Sequence, residues 1–345
     1  MERKALVIGG GIAGIKAAQK IAAGGVPVVL VEKESQLGGH MRDISMTFPR
    51  LQDAQAMLKQ ELESVQADPQ VAILTGFKLK QLSGQAGNFE AVLEGPDGTR
   101  KETVGAVVVA TGFKYFEPTA YTEYGYGRLK SVITSLELER LLQTRQLPQY
   151  LGAGSRPVVA LVHCVGSRDR AKGYRYCSKI CCSYCAKEAI LIKQQIPEAQ
   201  VFVFYIDIRA LGKGYEELVR SAIEEYGVRY IRGRVAKVVP NRGKLTVRAE
   251  DSLIGNPVEL EADLVVLASA MEPGSDSRQL AEMLDLACDE YGFFQEADYN
   301  TQPVRSSRPG IYLAGSCLAP MEISQAVAQA GSAAAEVLGY LAGQK

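Results

Sequence analysis

The sequence has no tryptophan, only two histidines and no excess of either charge, since 39 Lys+Arg are matched by 39 Asp+Glu. A general nucleic-acid binder carries a basic excess or a basic stripe, so that class is excluded. Two histidines leave little material for imidazole catalysis. Long hydrophobic runs are lacking as well. Stretches such as Ala106 to Ala110 and Val201 to Ile206 have strand length, far short of the ~20 apolar residues that cross a bilayer, so no direct membrane insertion is expected. A strand reading from Lys4 leaves no room for a signal peptide, and the expectation is a cytoplasmic chain with reduced thiols. What is present is a composition of 47% apolar and 23% charged residues over 345 positions, that of a folded protein of two or three domains. Glycine is abundant at 34, and five of the seven cysteines fall between Cys164 and Cys185.

Near the start, the apolar run Ala5-Leu6-Val7-Ile8 is followed at once by Gly9-Gly10-Gly11-Ile12-Ala13-Gly14. Ile15 to Ala23 then carries apolar residues at helical spacing. In such a strand, glycine turn and helix, Gly9 permits the tight turn and Gly11 lets the backbone approach a pyrophosphate. Gly14 lets the helix pack on the strand, and the helix N-terminus faces the phosphates. Pro27 to Val31 reads as the second strand. Glu32 ends it, 18 residues after Gly14, close to the spacing of a carboxylate that accepts a ribose hydroxyl. Context, spacing and acid agree on a dinucleotide site against a plain glycine turn.

Two further segments extend the pattern. Val107 to Val109 is a strand leading into the small-residue turn Ala110-Thr111-Gly112. Ile311 to Leu313 leads through Ala314-Gly315 into a helix from about Ile323 to Leu341. Between them a hairpin fits, with Glu90 to Glu94, a Gly95-Pro96-Asp97-Gly98 turn and Arg100 to Val104. This three-part pattern resembles the thioredoxin reductase-like flavoproteins. The resemblance implies an α/β fold of two Rossmann-like dinucleotide-binding domains, the second inserted in the first. Residues 1–120 plus 290–345 would form the FAD-binding domain and 121–289 the inserted one. It implies FAD against Gly9, Gly11, Ile12, Ala13, Gly14, Glu32, Lys33, Gly39, His40, Met41, Leu79, Ala110, Thr111, Gly112, Gly315, Ser316 and Ile323.

The inserted domain departs from that group. Its matching strand, Pro157 to Val162, is followed by His163-Cys164-Val165-Gly166-Ser167-Arg168-Asp169 and not by a GxGxxG turn; Gly152-Ala153-Gly154 lies on the wrong side of the strand. The backbone cradle for a second pyrophosphate is missing, so NAD(P)H binding is expected to be weak or absent. The rest still reads as doubly wound: strands at Ala199 to Ile206, Val228 to Ile231 and Leu264 to Ala268, a helix at Tyr215 to Tyr226, and a hairpin of Lys244 to Glu250 with Val258 to Glu261. Thr144 to Ser155 reads as loop and linker.

In place of the cradle stand Cys164, Cys177, Cys181 and Cys182, with Cys185 close behind. Thiolates converging at a strand end and a helix start hold iron–sulfur clusters or zinc, and the helix N-terminus offsets part of their charge. A redox CxxC through Cys182 and Cys185, structural zinc and plain buried thiols are the competing readings; ligand type favours iron–sulfur over zinc.

The stretch Cys164 to Lys187, with Tyr205-Ile206-Asp207-Ile208-Arg209-Ala210-Leu211-Gly212-Lys213-Gly214-Tyr215-Glu216, resembles the HdrA subunit of heterodisulfide reductase. HdrA-like subunits of sulfur-oxidising bacteria and the related subunit of the quinone-interacting oxidoreductase of sulfate reducers share it. The resemblance implies a [4Fe–4S] cluster on Cys164, Cys177, Cys181 and Cys182, with Cys185 as a substitute ligand. It also implies that Lys187 lies near flavin N5, where a helix-face lysine would otherwise simply be solvated. HdrB- and HdrC-like partner subunits, lipoate-binding proteins and a homodimeric core follow from the same likeness. Cys288 and Cys317 are the only other cysteines, so the further clusters of the long methanogen subunits have no ligands here, which argues against flavin-based bifurcation to ferredoxin. Ala319-Pro320-Met321-Glu322-Ile323 also departs from the Gly-Pro-Lys-Asp-Ile usual in that family.

Overall fold

The computed structural model describes residues 2–152 and 156–343. The chain divides into two compact units, one of residues 1–42, 56–114 and 272–345, the other of 43–55 and 115–271.

The first unit is built on five parallel strands in the order Val71–Thr75, Val28–Glu32, Ala5–Ile8, Ala106–Val109 and Ile311–Leu313. Gln302–Ser306 and Glu296–Asp298 continue the sheet antiparallel. Ala5–Ile8 is buried at all four positions, as a central parallel strand covered on both faces must be. Helix Ile12–Ala23 buries Ile15, Ala18, Ile21 and Ala22 in one cluster with Ala330, Ala333, Ala334 and Val337 of helix Ile323–Ala342. Full burial of Ile15 and of Ile21 contributes about 1.5–3 kcal/mol each. The hairpin is found as Asn88–Gly95 with Gly98–Val104, and Lys78–Gln85 adds a third antiparallel strand.

The second unit carries a five-stranded parallel sheet in the order Arg229–Arg232, Gln200–Tyr205, Val158–Val165, Leu264–Ser269 and Val132–Thr134. Val235–Asn241, Lys244–Asp251 and Asn256–Ala262 form a separate antiparallel sheet, whose first strand the sequence does not predict. The central strand runs three residues further than its apolar run suggests, through His163 and Cys164 to Val165. Within the expected linker, Leu147–Tyr150 is a short helix. Ala153, Gly154 and Ser155 lie outside the described residues.

The unit boundaries fall at 114/115 and 271/272, whereas the sequence reading places them near 120 and 290. The later boundary moves because helix Ser277–Leu284 buries Leu280, Ala281 and Leu284 beside Leu6, Leu79 and Phe294 of the first unit. Among the described residues no helix is long and apolar enough to cross a membrane.

Candidate functional site

In the first unit the three glycines have separable jobs. Gly9 takes φ +108°, and a Cβ there would stand 2.3 Å from the Ala110 carbonyl oxygen. A Cβ on Gly14 would stand 1.8 Å from the Gly9 carbonyl oxygen, so only glycine lets the helix seat on the turn. Gly11, the helix N-cap, faces nothing within 4 Å on its Cβ side and no side chain caps the helix. An open backbone at an uncapped helix N-terminus is what an incoming phosphate requires. Gly38-Gly39 lies against this turn: Gly38 N donates to the Gly10 carbonyl at 2.8 Å, and Gly11 bridges Gly38. Thr111 Oγ1 is buried without a partner. These features fit a dinucleotide such as FAD.

Glu32 has a role the spacing does not reveal. Its carboxylate accepts from Gly10 N at 2.6 Å and from Glu34 N at 2.8 Å, so it clamps the glycine turn. Gly315, at φ +79°, donates its N–H to Gln329 Oε1, and a Cβ there would press within 2.7 Å of the Ala13 Cβ. Ile12, Ala13, Ala110, Gly112, Ser316 and Ile323 thus sit on the turns and helix starts of this one unit. His40 bonds the Phe113 carbonyl at 2.8 Å and packs on its ring, and Met41 is buried. Lys33 pairs with Asp276 in solvent, and Leu79 packs among Phe77, Leu93 and Val104 in the apolar cluster.

In the second unit the strand Val158–Val165 feeds an irregular loop that ends at helix Cys181–Gln195. Cys164, Arg168 and Lys179 all take left-handed φ, near +62°, +55° and +63°. Such angles are uncommon for residues with a Cβ and mark a loop shaped by its surroundings. The loop is tied down at several points. Tyr176 Oη donates to the Met271 carbonyl at 2.6 Å and Ser178 Oγ accepts from Met271 N at 3.1 Å. Asp169 accepts from Tyr121 Oη and pairs with Arg234. Arg168 pairs with Asp207.

Cys164, Cys181, Cys182 and Cys185 are buried, Cys177 is half-buried, and none forms a disulfide. Cys181 and Cys182 open the helix, where the dipole favours thiolate. Cys181 shares hydrogen bonding with Cys164 and Cys182. That pulls Cys164 down to about 7 and Cys182, helped by His163 and the Arg209 N–H, down to about 4. Cys181 itself is pushed well up by the same bonds and by burial. Burial raises Cys177 and, strongly, Cys185. Backbone N–H groups also aim at the sulfurs: Lys179 N donates to Cys177 Sγ and Arg209 N to Cys182 Sγ, each at 3.3 Å. Thiols, inward N–H groups and a positive helix end form a donor set fit for iron–sulfur. One residue to which the sequence pattern assigns no role joins them. A ring nitrogen of His163 and the sulfurs of Cys181 and Cys182 lie within 4.8 Å of one another.

Lys187 is not on a solvated face. It is 2% exposed, forms an ion pair with Glu139 and donates to the Met46 carbonyl at 3.0 Å. Glu139 also accepts from Ser45 N and Ser45 Oγ, both at 2.8 Å. Beside it, Glu188 accepts from Ser135 Oγ at 3.1 Å. Burial first, then the Glu139 charge, push Glu188 well above the usual carboxylate range. Glu139 escapes sequence reading because its partner is 48 residues away and nothing local marks it. Cys317 is buried against the Val109 and Ala314 carbonyls, and Cys288 is half-buried beside Phe294.

The sequence profile of the pyridine nucleotide-disulphide oxidoreductase family matches residues 3–159 and 183–330. The interruption, 160–182, takes in Cys164, Cys177, Cys181 and Cys182. The chain is 36% identical to the iron-sulfur A-subunit of the CoB–CoM heterodisulfide reductase of Methanocaldococcus jannaschii, with 98% of this chain and 64% of that protein covered. It is 33% identical to the A-subunit of the ferredoxin:CoB–CoM heterodisulfide reductase of Methanosarcina acetivorans, with 98% and 57% covered. The chain thus spans less than two thirds of the length of these relatives. Among solved structures, the thioredoxin reductase of T. acidophilum superposes with a TM-score of 0.66 at 19% identity, covering 98% of this chain and 99% of that one. The NAD-dependent persulfide reductase of A. fulgidus gives 0.62 at 20% identity, covering 97% and 59%. The fold is therefore the thioredoxin reductase-like α/β fold with two Rossmann-like domains.

Proposed function

The chain belongs to the pyridine nucleotide-disulphide oxidoreductase family, and on that premise we propose that it is the electron-relaying subunit of a heterodisulfide reductase-like complex. It holds FAD in the first unit and a [4Fe–4S] cluster on Cys164, Cys177, Cys181 and Cys182 in the second. The observation that carries this reading is the replacement at residues 160–182. The family profile breaks off on the strand and resumes inside the helix, and the segment between supplies thiols where a second nucleotide cradle would supply glycine backbone. The name of the M. jannaschii relative, which calls it an iron-sulfur subunit, supports the same reading.

When bound, the flavin exchanges electrons in pairs or singly and the cluster exchanges them one at a time. This chain's residues bind and tune. Gly9, Gly11 and Gly14 shape the phosphate-facing turn, and Glu32 braces it. The helix N-terminus at Cys181 and the N–H groups of Lys179 and Arg209 offset thiolate charge. Lys187 supplies a buried cation whose orientation is fixed by Glu139 and the Met46 carbonyl. By the resemblance of Cys164 to Lys187 to the HdrA-like subunits of sulfur-oxidising bacteria, the sulfur chemistry lies with HdrB- and HdrC-like subunits, and the setting is cytoplasmic sulfur oxidation with lipoate-bound substrates.

Protein prepared without air and assayed for flavin, iron and acid-labile sulfide tests the reading. We expect one FAD and four irons per chain, with a broad visible band over the flavin spectrum. Flavin without iron would end it. A stand-alone NAD(P)H-dependent reductase would instead bleach its flavin with NADH at catalytic rates in stopped flow.

A further inference from the structure

The residue directly before the first cysteine of the loop is a buried histidine. His163 is 5% exposed, and neither ring nitrogen completes a hydrogen bond of normal geometry. Buried polar groups are nearly always satisfied, so an imidazole whose one neighbour, Cys182, is met only in loose geometry calls for a better partner that arrives after folding. The backbone around it points to the same need. The ladder between Val158–Val165 and Leu264–Ser269 shifts register between Val162 and Val165, and Cys164 takes a left-handed φ of +62° there. In a regular strand neighbours 163 and 164 point to opposite faces. Here the irregularity coincides with a His163 ring nitrogen within 4.8 Å of the sulfurs of Cys181 and Cys182. An apolar residue of similar size would fill this space without leaving two nitrogens unsatisfied.

We propose that His163 is a hydrogen-bond donor to the sulfur of the metal centre, through Cys182 Sγ or an adjacent inorganic sulfide, and that it makes the centre easier to reduce. Four cysteines already match four irons, so the imidazole is left with the donor role and not a ligand role. A neutral imidazole always carries one N–H, so no change of protonation is needed. Reduction adds negative charge to the cluster and its sulfurs, and a donor aimed at that charge stabilises the reduced state. The inference rests on the iron–sulfur reading above and adds a positioning residue to it.

The test uses the whole chain loaded with cofactors without air, with iron counted first. Midpoint potentials come from titration followed by electron paramagnetic resonance. His163→Leu should lose about tenfold in the one-electron reduction equilibrium, about 59 mV more negative. His163→Gln keeps an amide N–H and should recover most of it. In wild type labelled with 15N-histidine, a weak nitrogen coupling to the reduced cluster is expected. A full iron count with an unchanged midpoint in His163→Leu overturns the role of His163 and leaves the relay reading standing. A strong coupling, diagnostic of direct iron–nitrogen ligation, also overturns the donor role. Should His163→Leu lose its cluster, the wild-type coupling and His163→Gln decide the matter. Wild type without iron removes the relay reading and this inference together.

Discussion

Replacing Lys187 by Met removes the ammonium that faces Glu139 inside the second unit and keeps the side-chain volume close to native. Glu139, 3% exposed, is then left buried without its cation. Removing one partner of a buried pair costs ~3–5 kcal/mol. The two Ser45 donors remain on Glu139 Oε2 and recover part of it, so we expect a loss of about 2–4 kcal/mol at pH 7. Guanidinium unfolding followed by far-ultraviolet circular dichroism at pH 7 measures it. Lys187→Met with Glu139→Gln should regain most of the loss, because no uncompensated charge remains. A single-variant loss below about 1 kcal/mol would refute the buried-pair account.

Glu188→Gln tests the neighbouring carboxyl. Burial raises Glu188 well above its unfolded value, so the stability that Glu188 contributes declines as pH rises above about 4.3. The variant should show a flatter decline from pH 5 to 8 and higher stability at pH 8; an identical profile would clear Glu188. Gly11→Ala meets no protein atom within 4 Å, so the apo melting temperature should hold while FAD affinity drops at least about tenfold, or 1.4 kcal/mol. Gly14→Ala collides with the Gly9 carbonyl and should lose both, as thermal melts with and without FAD will report. Cys185→Ala should retain the full iron count, since burial keeps this thiol protonated; loss of iron would make it a ligand.

What is legible in the sequence is local. The run Ala5 to Gly14 announces a strand, turn and helix within ten residues, and the apolar spacing of the last helix predicts Ile323–Ala342 to within a residue at each end. Helix Ser135–Gln143 carries a capping box from Thr134 and Glu137, a helix-start signal that the sequence does contain. Other features have no local sign. Residues 43–55 follow the first unit's opening segment yet pack with the second, because Ser45 and Met46 bond Glu139 and Lys187 far along the chain. Strand Val235–Asn241 gives only a weak alternation, because Lys237 and Pro240 break its apolar pattern.

The segment between Gly166 and Ile180 is anchored to strands and neighbouring loops by phenol, hydroxyl, carboxylate and guanidinium groups. The shape of this segment is consequently set by the polypeptide around it. On the proposed reading, a chain that lost its iron would need only iron and sulfide to regain the centre, and not a fresh round of folding.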